Sequence, residues 1–173
     1  MNIHYLLSAL VLSLFFMQSN CQHKMKKNNM QKIQSKIGIE QYKGKKLIKP
    51  EEYWKEQLSA EQFYITQKAG TERPFTGEYD NFYEKGNYHC VACDLLLFQS
   101  DSKFKSGCGW PSFSDLANEE NINYYEDLTH NMSRIEVRCG KCNAHLGHVF
   151  NDGPPPSYLR YCINSLSLKF KKK

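Results

Sequence analysis

Hydrophobic and polar residues follow three different patterns along the 173-residue chain. An apolar run of twelve residues spans positions 6–17, which suits a signal-peptide core and is well short of the ~20 residues that cross a bilayer as a helix. Positions 22–48 are rich in Lys, Asn and Gln without a sustained period, which predicts a flexible tether. Beyond Gly70, short apolar or alternating stretches broken by Gly, Pro, Asn and Asp are typical of antiparallel strands joined by turns.

Two short helices are predicted ahead of the strands. Pro50 fits the first turn of a helix that runs to Leu58, since acidic residues follow it and favour that end of the helix dipole. Ser59 and Gln62 have the spacing of a capping box at the start of a second helix, and Gly70 is its expected stop. The fold is therefore predicted to start near Pro50 as a mainly β domain with short N-terminal helices.

The N-terminal residues predict export from the cytosol. The apolar run ends at Gln18-Ser-Asn-Cys21, which resembles the cleavage and acylation site of a bacterial lipoprotein. Secretion after cleavage without lipid and retention as an anchor are the alternatives, and mass spectrometry of the mature N-terminus distinguishes them. We interpret residues 1–20 as a signal peptide, 21–48 as the tether and 49–170 as the folded domain, in the bacterial cell envelope or periplasm.

The formal net charge of +5 comes from the two ends of the chain. Residues 22–49 contain nine lysines and one glutamate, and residues 169–173 contain four lysines. Residues 50–168 hold ten basic and seventeen acidic side chains. The length allows one domain with one modest core, and the acidic balance of that domain argues against a nucleic-acid-binding function.

Four of the seven cysteines form two C-x-x-C pairs, Cys90 with Cys93 and Cys139 with Cys142, separated by 45 residues. Two such turns can present four thiolates to one tetrahedral zinc ion. A complete shell of four ligands leaves no open position for a substrate, so the predicted zinc is structural. Two disulfides in an oxidising compartment, or a redox-active C-x-x-C of thioredoxin type, are the alternatives.

Cys108 and Cys162 lie outside these pairs. Cys108 stands between two glycines, which favours an accessible sulfur on a loop. Cys162 falls in a predicted strand over positions 158–164, whose period of two places Arg160, Cys162 and Asn164 on one face. A guanidinium beside a thiol favours the nucleophilic thiolate, and Asn164 can donate a hydrogen bond to a developing oxyanion. A small buried cysteine without chemistry is the alternative.

Two histidines and a tryptophan complete the candidate site. In His145-Leu-Gly-His148, Gly147 is predicted to provide a turn that brings both imidazoles to a common centre. We expect His148 to do acid-base or hydrogen-bonding work at a pocket, with His145 in support, and metal ligation is the alternative. Trp110, between a glycine and a proline, can offer a rigid apolar wall to a methyl-bearing group, or it can be an ordinary core aromatic.

Together these motifs resemble the peptide-methionine (R)-S-oxide reductase (MsrB) family. The resemblance covers residues 50–170 and keeps the order of the motifs. It implies a mainly β fold of two antiparallel sheets, arranged like a β-sandwich, with short N-terminal helices and a structural zinc site. The segments that carry it are Phe75–Tyr79, the two C-x-x-C pairs, Ser106–Phe113, His145–His148, Asp152–Pro154 and Arg160–Ser165.

The resemblance implies thiol-dependent reduction of methionine (R)-sulfoxide in oxidised proteins. Cys162 would attack the sulfoxide and become a sulfenic acid, Cys108 would resolve it as a disulfide, and a thioredoxin-type reductant would reopen that disulfide. For an exported enzyme, the expected reductant is an envelope thioredoxin-like protein. The other implied roles are catalysis at the sulfoxide oxygen for His148 and Asn164, and substrate binding or support for Trp110, His145, Asp152 and Arg160.

Two other functions are compatible with parts of this pattern. A non-catalytic zinc-knuckle binding module needs only the C-x-x-C pairs and leaves Cys108 and Cys162 without a role. A thiol peroxidase or redox sensor would use a nucleophilic cysteine with a resolving partner on peroxide. Trp110 and the pair of His148 and Asn164 favour a sulfoxide substrate.

Overall fold

The structure is a computed structural model that describes the backbone of residues 3–173 and the side chains from residue 19 onward. The mainly β fold with two antiparallel sheets is confirmed. The strands of this described part are Gly86–Cys90 (β1), Leu96–Gln99 (β2), Lys103–Phe104 (β3), Ser112–Phe113 (β4), Ile122–Asp127 (β5), Arg134–Cys139 (β6), His145–Phe150 (β7), Arg160–Ile163 (β8) and Leu168–Lys172 (β9).

Three helices precede the strands. The predicted capping box is present: the Ser59 hydroxyl accepts from the backbone N–H of Gln62, and the Gln62 side chain accepts from the backbone N–H of Ser59. These bonds satisfy two donors that a helix start leaves free. At the end of the second short helix, Ala69 takes the left-handed conformation in place of the predicted Gly70. The helices are Ile3–Gln34 (α1), Glu51–Gln57 (α2) and Ala60–Lys68 (α3).

The six-stranded sheet has the order β3-β4-β8-β7-β6-β5 and carries the predicted Cys162, His148, His145 and Arg160. Its register places His148 opposite Cys162 and Phe150 opposite Arg160 on the central strands β7 and β8. On the next strand, β6, Glu136 lies opposite His148. Because directly opposed residues share a face of the sheet, Cys162, His148 and Glu136 form one row across it.

The second sheet has the order β2-β1-β9 and packs against the first through aromatic side chains. Phe98 of β2 stacks on Phe113 of β4 at a centroid distance of 4.3 Å, and Tyr88 of β1 meets the same ring edge-on at 5.0 Å. All three side chains are fully buried. Such aromatic pairs contribute about 0.5–1.5 kcal/mol each beyond their burial, so this contact joins the two sheets into one core.

The segment after the apolar run differs from the prediction. The sequence predicts a flexible tether without helical period over 21–48, whereas α1 continues to Gln34 and the following residues pack on the domain. Ile33 is 4% exposed within the core. The backbone N–H of Gly38 donates to the carbonyl of Tyr124 on the edge strand β5. This segment therefore covers part of a sheet edge that would otherwise present free backbone groups.

The predicted signal peptide cannot be compared in the same way. The side chains of its apolar run, residues 6–17, lie outside the described residues, so export and its cleavage stay predictions. Lipidation of Cys21, whose side chain is exposed, also stays a prediction. In the described part of the chain, no helix combines the length and the apolar character needed to cross a bilayer.

Replacing Ile33 with alanine tests whether the segment before the domain packs as described. Removal of a buried isoleucine side chain beyond Cβ costs about 2–5 kcal/mol, so we expect the free energy of unfolding, measured by urea denaturation, to fall by that amount. Ile39→Ala is the matched control, because Ile39 is 56% exposed and its loss should change stability by less than about 0.5 kcal/mol. Equal small effects of both substitutions would contradict the packing.

Candidate functional site

The structure brings the two remaining cysteines together, with 3.6 Å between the Sγ atoms of Cys108 and Cys162. Cys162 lies on β8, and the pairing of β8 with β4 sets Ser112 opposite it. Cys108 lies on the loop before β4, between Gly107 and Gly109, whose φ angles are +75° and +90°. Only glycine adopts such angles readily, so the two glycines allow the loop to bring Cys108 to β8. A disulfide, with its S–S length of about 2.05 Å, needs only a small further approach.

The two thiols share one proton at neutral pH. A hydrogen bond from Cys162 lowers the pKa of Cys108 to about 4, against burial, and the hydroxyls of Ser106 and Ser112 add to the effect. The same contact with Cys108, together with burial, raises the pKa of Cys162, while Arg160 lowers it. The sequence predicts a thiolate at Cys162. In this geometry Arg160 acts in the predicted direction, but the negative charge lies on Cys108.

Cys162 opens into a pocket of about 110 Å³, which is enough for the end of a side chain. The indole of Trp110 forms one wall, and its Nε1 donates to the carbonyl of Glu72 at 3.1 Å, which fixes the plane of the ring. The structure therefore gathers the predicted Trp110, His148 and Asn164 around Cys162. The lining residues are Thr71, Trp110, Arg134, Gly147, His148, Phe150, Cys162 and Asn164.

Two residues that the sequence reasoning missed hold His148 in place. Asp127 Oδ2 lies 2.7 Å from His148 Nε2 and 2.7 Å from Arg134 Nη2. Although burial opposes it, hydrogen bonds from Thr129 and His148 hold the pKa of Asp127 well below its usual range. Burial lowers the pKa of His148 more than the bond to Asp127 raises it. At neutral pH the imidazole is therefore neutral, with its Nε2–H donated to the carboxylate.

Arg134 lines the pocket and contains a buried donor without a partner among the described residues. Its Nη2 contacts Asp127 and Thr129, whereas its Nε is buried without a hydrogen-bond partner among the residues that the structure describes. A buried N–H of a charged group without a partner is costly. The register of β5 and β6, which places Asp127 opposite Arg134, is the signal that could have indicated this pair, but it requires knowledge of strand pairing.

The Asn164 amide is oriented by backbone groups. Its Oδ1 accepts from the N–H of Glu72 at 3.1 Å, and its Nδ2 donates to the carbonyl of Leu146 at 3.1 Å. Glu72, another residue missed from the sequence, is 8% exposed, and its carboxylate accepts from the backbone N–H groups of Ser165 and Leu166. Burial raises the pKa of Glu72. Because an amide nitrogen carries two hydrogens, Asn164 retains one N–H for a ligand in the pocket.

Arg160 and Asp152 lie beside the pocket lining and do not form part of it. The guanidinium of Arg160 makes two bonds of 2.8 Å to the carboxylate of Asp152 and lies 4.5 Å from the centroid of the Phe150 ring. Such a two-point ion pair fixes the orientation of an arginine. Asp152 therefore positions Arg160, and Arg160 acts on Cys162 through its charge.

His145 does not reach the pocket, and the turn predicted at Gly147 is absent. Residues 145–150 form the strand β7, in which the His145 ring lies 5.6 Å from that of His148 and its Nδ1 lies 2.6 Å from Glu136 Oε1. Gly147 has a different role. A Cβ at this position would lie 2.0 Å from the carbonyl oxygen of Cys162, so glycine is required for β7 to approach β8.

The four cysteines of the C-x-x-C pairs form one buried cluster, with all sulfurs within 4.8 Å of one another. The distances between the pairs are 3.6 Å from Cys90 to Cys142 and 3.5 Å from Cys93 to Cys139. These values exceed a disulfide length of about 2.05 Å and match the spacing of thiolates around a tetrahedral ion with Zn–S bonds of about 2.3 Å. The cluster can therefore hold a metal ion, and four soft sulfur donors fit zinc.

Each turn of the two C-x-x-C pairs closes on the residue after its second cysteine: Asp94 and Asn143 take φ values of +63°. Their N–H groups donate to the carbonyls of Cys90 and Cys139 at 2.9 Å. Asp and Asn adopt this left-handed conformation more readily than most residues, which explains their presence here.

Comparison with known proteins assigns the family. The SelR domain family model matches residues 58–172. The chain belongs to the SelR (MsrB) family. Three relatives named "Peptide methionine sulfoxide reductase MsrB", from Escherichia coli O139:H28 (strain E24377A / ETEC), K12 (strain DH10B) and O157:H7 (strain EC4115 / EHEC), are each 58% identical over 116 residues, which cover 67% of this chain and 85% of the relative.

A solved structure, the Mis18 'Yippee-like' domain, has a TM-score of 0.43 and 17% identity, and the alignment covers 52% of this chain and 98% of that one. The MsrB family predicted from the motifs is confirmed by the family match and by the identity to these relatives. The predicted enzyme class, a peptide-methionine sulfoxide reductase that acts on sulfur groups, is confirmed with it.

The shared proton predicts how Cys108 reacts with iodoacetamide. Because a thiolate alkylates and a thiol does not, Cys108 should show half-maximal alkylation near the pKa of about 4. In Cys162→Ala the hydrogen bond that stabilises this thiolate is lost, so the midpoint should rise toward the ordinary thiol value of about 8.5. Peptide mapping by mass spectrometry over pH 3–10 measures both. An ordinary midpoint in the unsubstituted chain would contradict the shared proton.

Proposed function

We propose that this MsrB-family enzyme reduces methionine (R)-sulfoxide in oxidised proteins, with Cys162 as the nucleophile and Cys108 as the resolving cysteine. The observation that supports this most is the position of Cys162, which opens into a pocket of about 110 Å³ on one side and lies 3.6 Å from a second thiol on the other. The pocket admits the methylsulfinyl end of a side chain, and the second sulfur is within reach of a disulfide.

The lining of the pocket suits the two ends of a sulfoxide. Trp110 and Phe150 offer apolar surface to the methyl group. Asn164 brings an Nδ2–H group that has no other partner among the described residues, and this group can donate to the sulfoxide oxygen. A hydrogen bond to this oxygen strengthens as negative charge develops on it during attack at sulfur. The polar end is thereby oriented away from the aromatic walls.

The first step consumes one thiol and yields one sulfenic acid. The Cys108 thiolate accepts the proton of Cys162, and the Cys162 thiolate, beside Arg160, attacks the sulfoxide sulfur. The oxygen takes up a proton and passes to Cys162, so that methionine leaves and a sulfenic acid forms. His148, held by Asp127, can supply that proton once its imidazole is protonated. Methionine gains the two electrons that Cys162 loses.

The second step forms the disulfide. Cys108 gives up the proton that it took from Cys162 and attacks Sγ of the Cys162 sulfenic acid as a thiolate; the S–O bond breaks, and hydroxide leaves with that proton as water. The low pKa of Cys108 suits this role because it keeps the attacking sulfur ionised at neutral pH. An external dithiol, in the cell a thioredoxin-type protein, then returns two electrons and two protons to restore both thiols.

We also propose that the four-cysteine cluster holds zinc. When bound, the ion supplies a structural cross-link and, because its four ligands complete the tetrahedron, takes no substrate. Cys90 ends β1 and Cys139 ends β6, and Cys93 and Cys142 lie in the turns that follow, so the site joins a turn of each sheet. The two rival functions are less consistent with the site: a binding module does not use the Cys108–Cys162 pair, and a peroxidase does not need the apolar walls.

Turnover of methionine sulfoxide peptides with dithiothreitol tests the proposed activity. The R epimer should be reduced and the S epimer should not. Cys162→Ser should abolish turnover, because the oxygen-accepting sulfur is lost. Cys108→Ser should complete one turnover and accumulate a sulfenic acid, detected by dimedone labelling, before it stalls with thioredoxin-type donors. Reduction of peroxide in preference to the R epimer, or full steady-state activity of Cys162→Ser, would refute the proposal.

Metal analysis of the purified chain tests the zinc site. One zinc per chain is expected, and Cys139→Ser should lose it and unfold at a lower temperature, since binding free energy of a structural zinc adds to folding free energy. Cys108→Ser is the matched control and should retain the full zinc content. A chain that contains no zinc, and disulfides between the knuckle cysteines in its place, would exclude this assignment.

A further inference from the structure

The surface beside Cys108 presents an aromatic side chain on a strained backbone. Phe75 is 67% exposed, and its φ is +65°. This left-handed conformation is an outlier for a bulky residue. Such outliers persist only where the surrounding structure enforces them, and they concentrate at functional sites. An exposed phenyl ring held in this way contributes nothing to the core, so its position calls for a different explanation.

Contacts with the resolving-cysteine loop enforce the position of Phe75. Its N–H donates to the carbonyl of Gly109 at 2.8 Å. A Cβ placed on Gly109 would lie 2.7 Å from Cβ of Pro74 and 3.1 Å from Cδ2 of Phe75, so only glycine permits this approach. The backbone of Phe75 is therefore hydrogen-bonded to Gly109, the residue that directly follows Cys108, and the phenyl ring lies next to that residue.

Phe75 stands apart from the substrate pocket. Neither Phe75 nor Cys108 lines the pocket at Cys162. The side chain of Cys108 is partly exposed, on a loop whose preceding residues, 105–107, are exposed. A protein that reaches Cys108 from solvent therefore meets Phe75, whereas a sulfoxide side chain in the pocket does not contact it.

The two exposed segments at Phe75 and before Cys108 contain only basic charged side chains, whereas Glu61 and Glu78 line the same groove as Arg73. The exposed residues 73–76 and 105–107 include Arg73 and Lys105 and no acidic side chain. In the part of the chain that the structure describes, neither Arg73 nor Lys105 forms a salt bridge. The basic character of these two segments differs from that of the domain, since residues 50–168 carry seventeen acidic and ten basic side chains. Electrostatic complementarity favours a partner with acidic groups around its contact area.

We propose that Phe75, together with Arg73 and with Lys105 of the Cys108 loop, is the docking surface for the dithiol protein that reduces the Cys108–Cys162 disulfide. The partner has an apolar patch beside its reactive cysteine and acidic residues around that patch. This inference rests on the function proposed above, in which that disulfide forms. It adds the surface that selects the reductant, since a small dithiol needs no such contact.

The exchange on this surface balances in two steps. A thiolate of the partner attacks Sγ of Cys108, the bond between Cys108 and Cys162 breaks, and Cys162 leaves as a thiolate that takes up a proton. The partner's second thiol loses its proton and attacks the partner sulfur of the mixed disulfide, so that Cys108 leaves as a thiolate. The partner loses two electrons as its disulfide forms. While the mixed disulfide exists, the partner protein covers Phe75.

Steady-state reduction of a methionine (R)-sulfoxide peptide with two reductants tests the docking surface. One series uses bacterial thioredoxin, kept reduced by its NADPH-dependent reductase, and the other uses dithiothreitol. Phe75→Ala should raise the KM for thioredoxin about tenfold, as expected for the loss of a central aromatic contact, and leave dithiothreitol-driven turnover unchanged. The matched control is Ile48→Ala, because Ile48 is 86% exposed and does not belong to the segments around Phe75 and Cys108. This substitution should change neither the KM for thioredoxin nor the turnover with dithiothreitol.

Two further variants separate docking from folding and test the charges. Asparagine adopts the left-handed conformation more readily than phenylalanine, so Phe75→Asn should have a Tm equal to or above that of the unsubstituted chain and the same raised KM for thioredoxin. Arg73→Glu combined with Lys105→Glu should raise that KM as well. In the unsubstituted chain the KM for thioredoxin should increase with ionic strength, and this dependence should weaken in the double variant.

Three results would overturn the proposal. The first is an unchanged KM for thioredoxin in Phe75→Ala and in the double charge variant. The second is a raised KM for the sulfoxide peptide, measured with dithiothreitol, without a change for thioredoxin, which would assign the surface to the substrate chain. The third is failure of thioredoxin to support the unsubstituted chain while dithiothreitol does. Absence of turnover with dithiothreitol would refute the proposed function itself, and the docking proposal with it.

Discussion

The candidate site depends on the register of β8 between its two neighbours. Pairing with β7 sets Cys162 opposite His148, and pairing with β4 sets it opposite Ser112, which follows Cys108 by four residues. A shift of one residue would turn Cys162 into the core and place Tyr161 in the pocket. This register requires glycine at position 147, because any side chain there would collide with the carbonyl of Cys162.

Within that register, electrostatics shifts the pKa values of the two thiols in opposite directions. Both groups are cysteine thiols, but Cys108 has hydrogen bonds with Ser106 and Ser112, whereas Cys162 is more deeply buried and lies beside Arg160. With one proton between them, the pair holds a single negative charge that can move 3.6 Å from one sulfur to the other. A sulfur that is ionised at rest suits resolution, and a sulfur that becomes ionised beside a guanidinium suits attack on substrate.

The sequence predicts the parts of the site that depend on local pattern. The period of two in β8 places Arg160 and Cys162 on one face, as the burial of Tyr161 and Ile163 confirms, and the spacing of the C-x-x-C pairs indicates their cluster. It does not indicate Asp127, because that carboxylate meets His148 only through the pairing of β5, β6 and β7. Glu72, Arg134 and the burial of Ile33 likewise arise from contacts between distant segments.

The cysteine cluster and the reactive pocket have no residue in common, but they share strands. Cys139 ends β6 and Cys142 lies in the turn to β7, and these two strands carry Arg134 and His148 into the pocket. The first knuckle begins at Cys90, the last residue of β1 in the other sheet. The proposed zinc would join the two turns and so limit how far β6 and β7 can slide relative to the small sheet. The four cysteines do not line the pocket, so the ion would act by restricting motion, without touching the substrate.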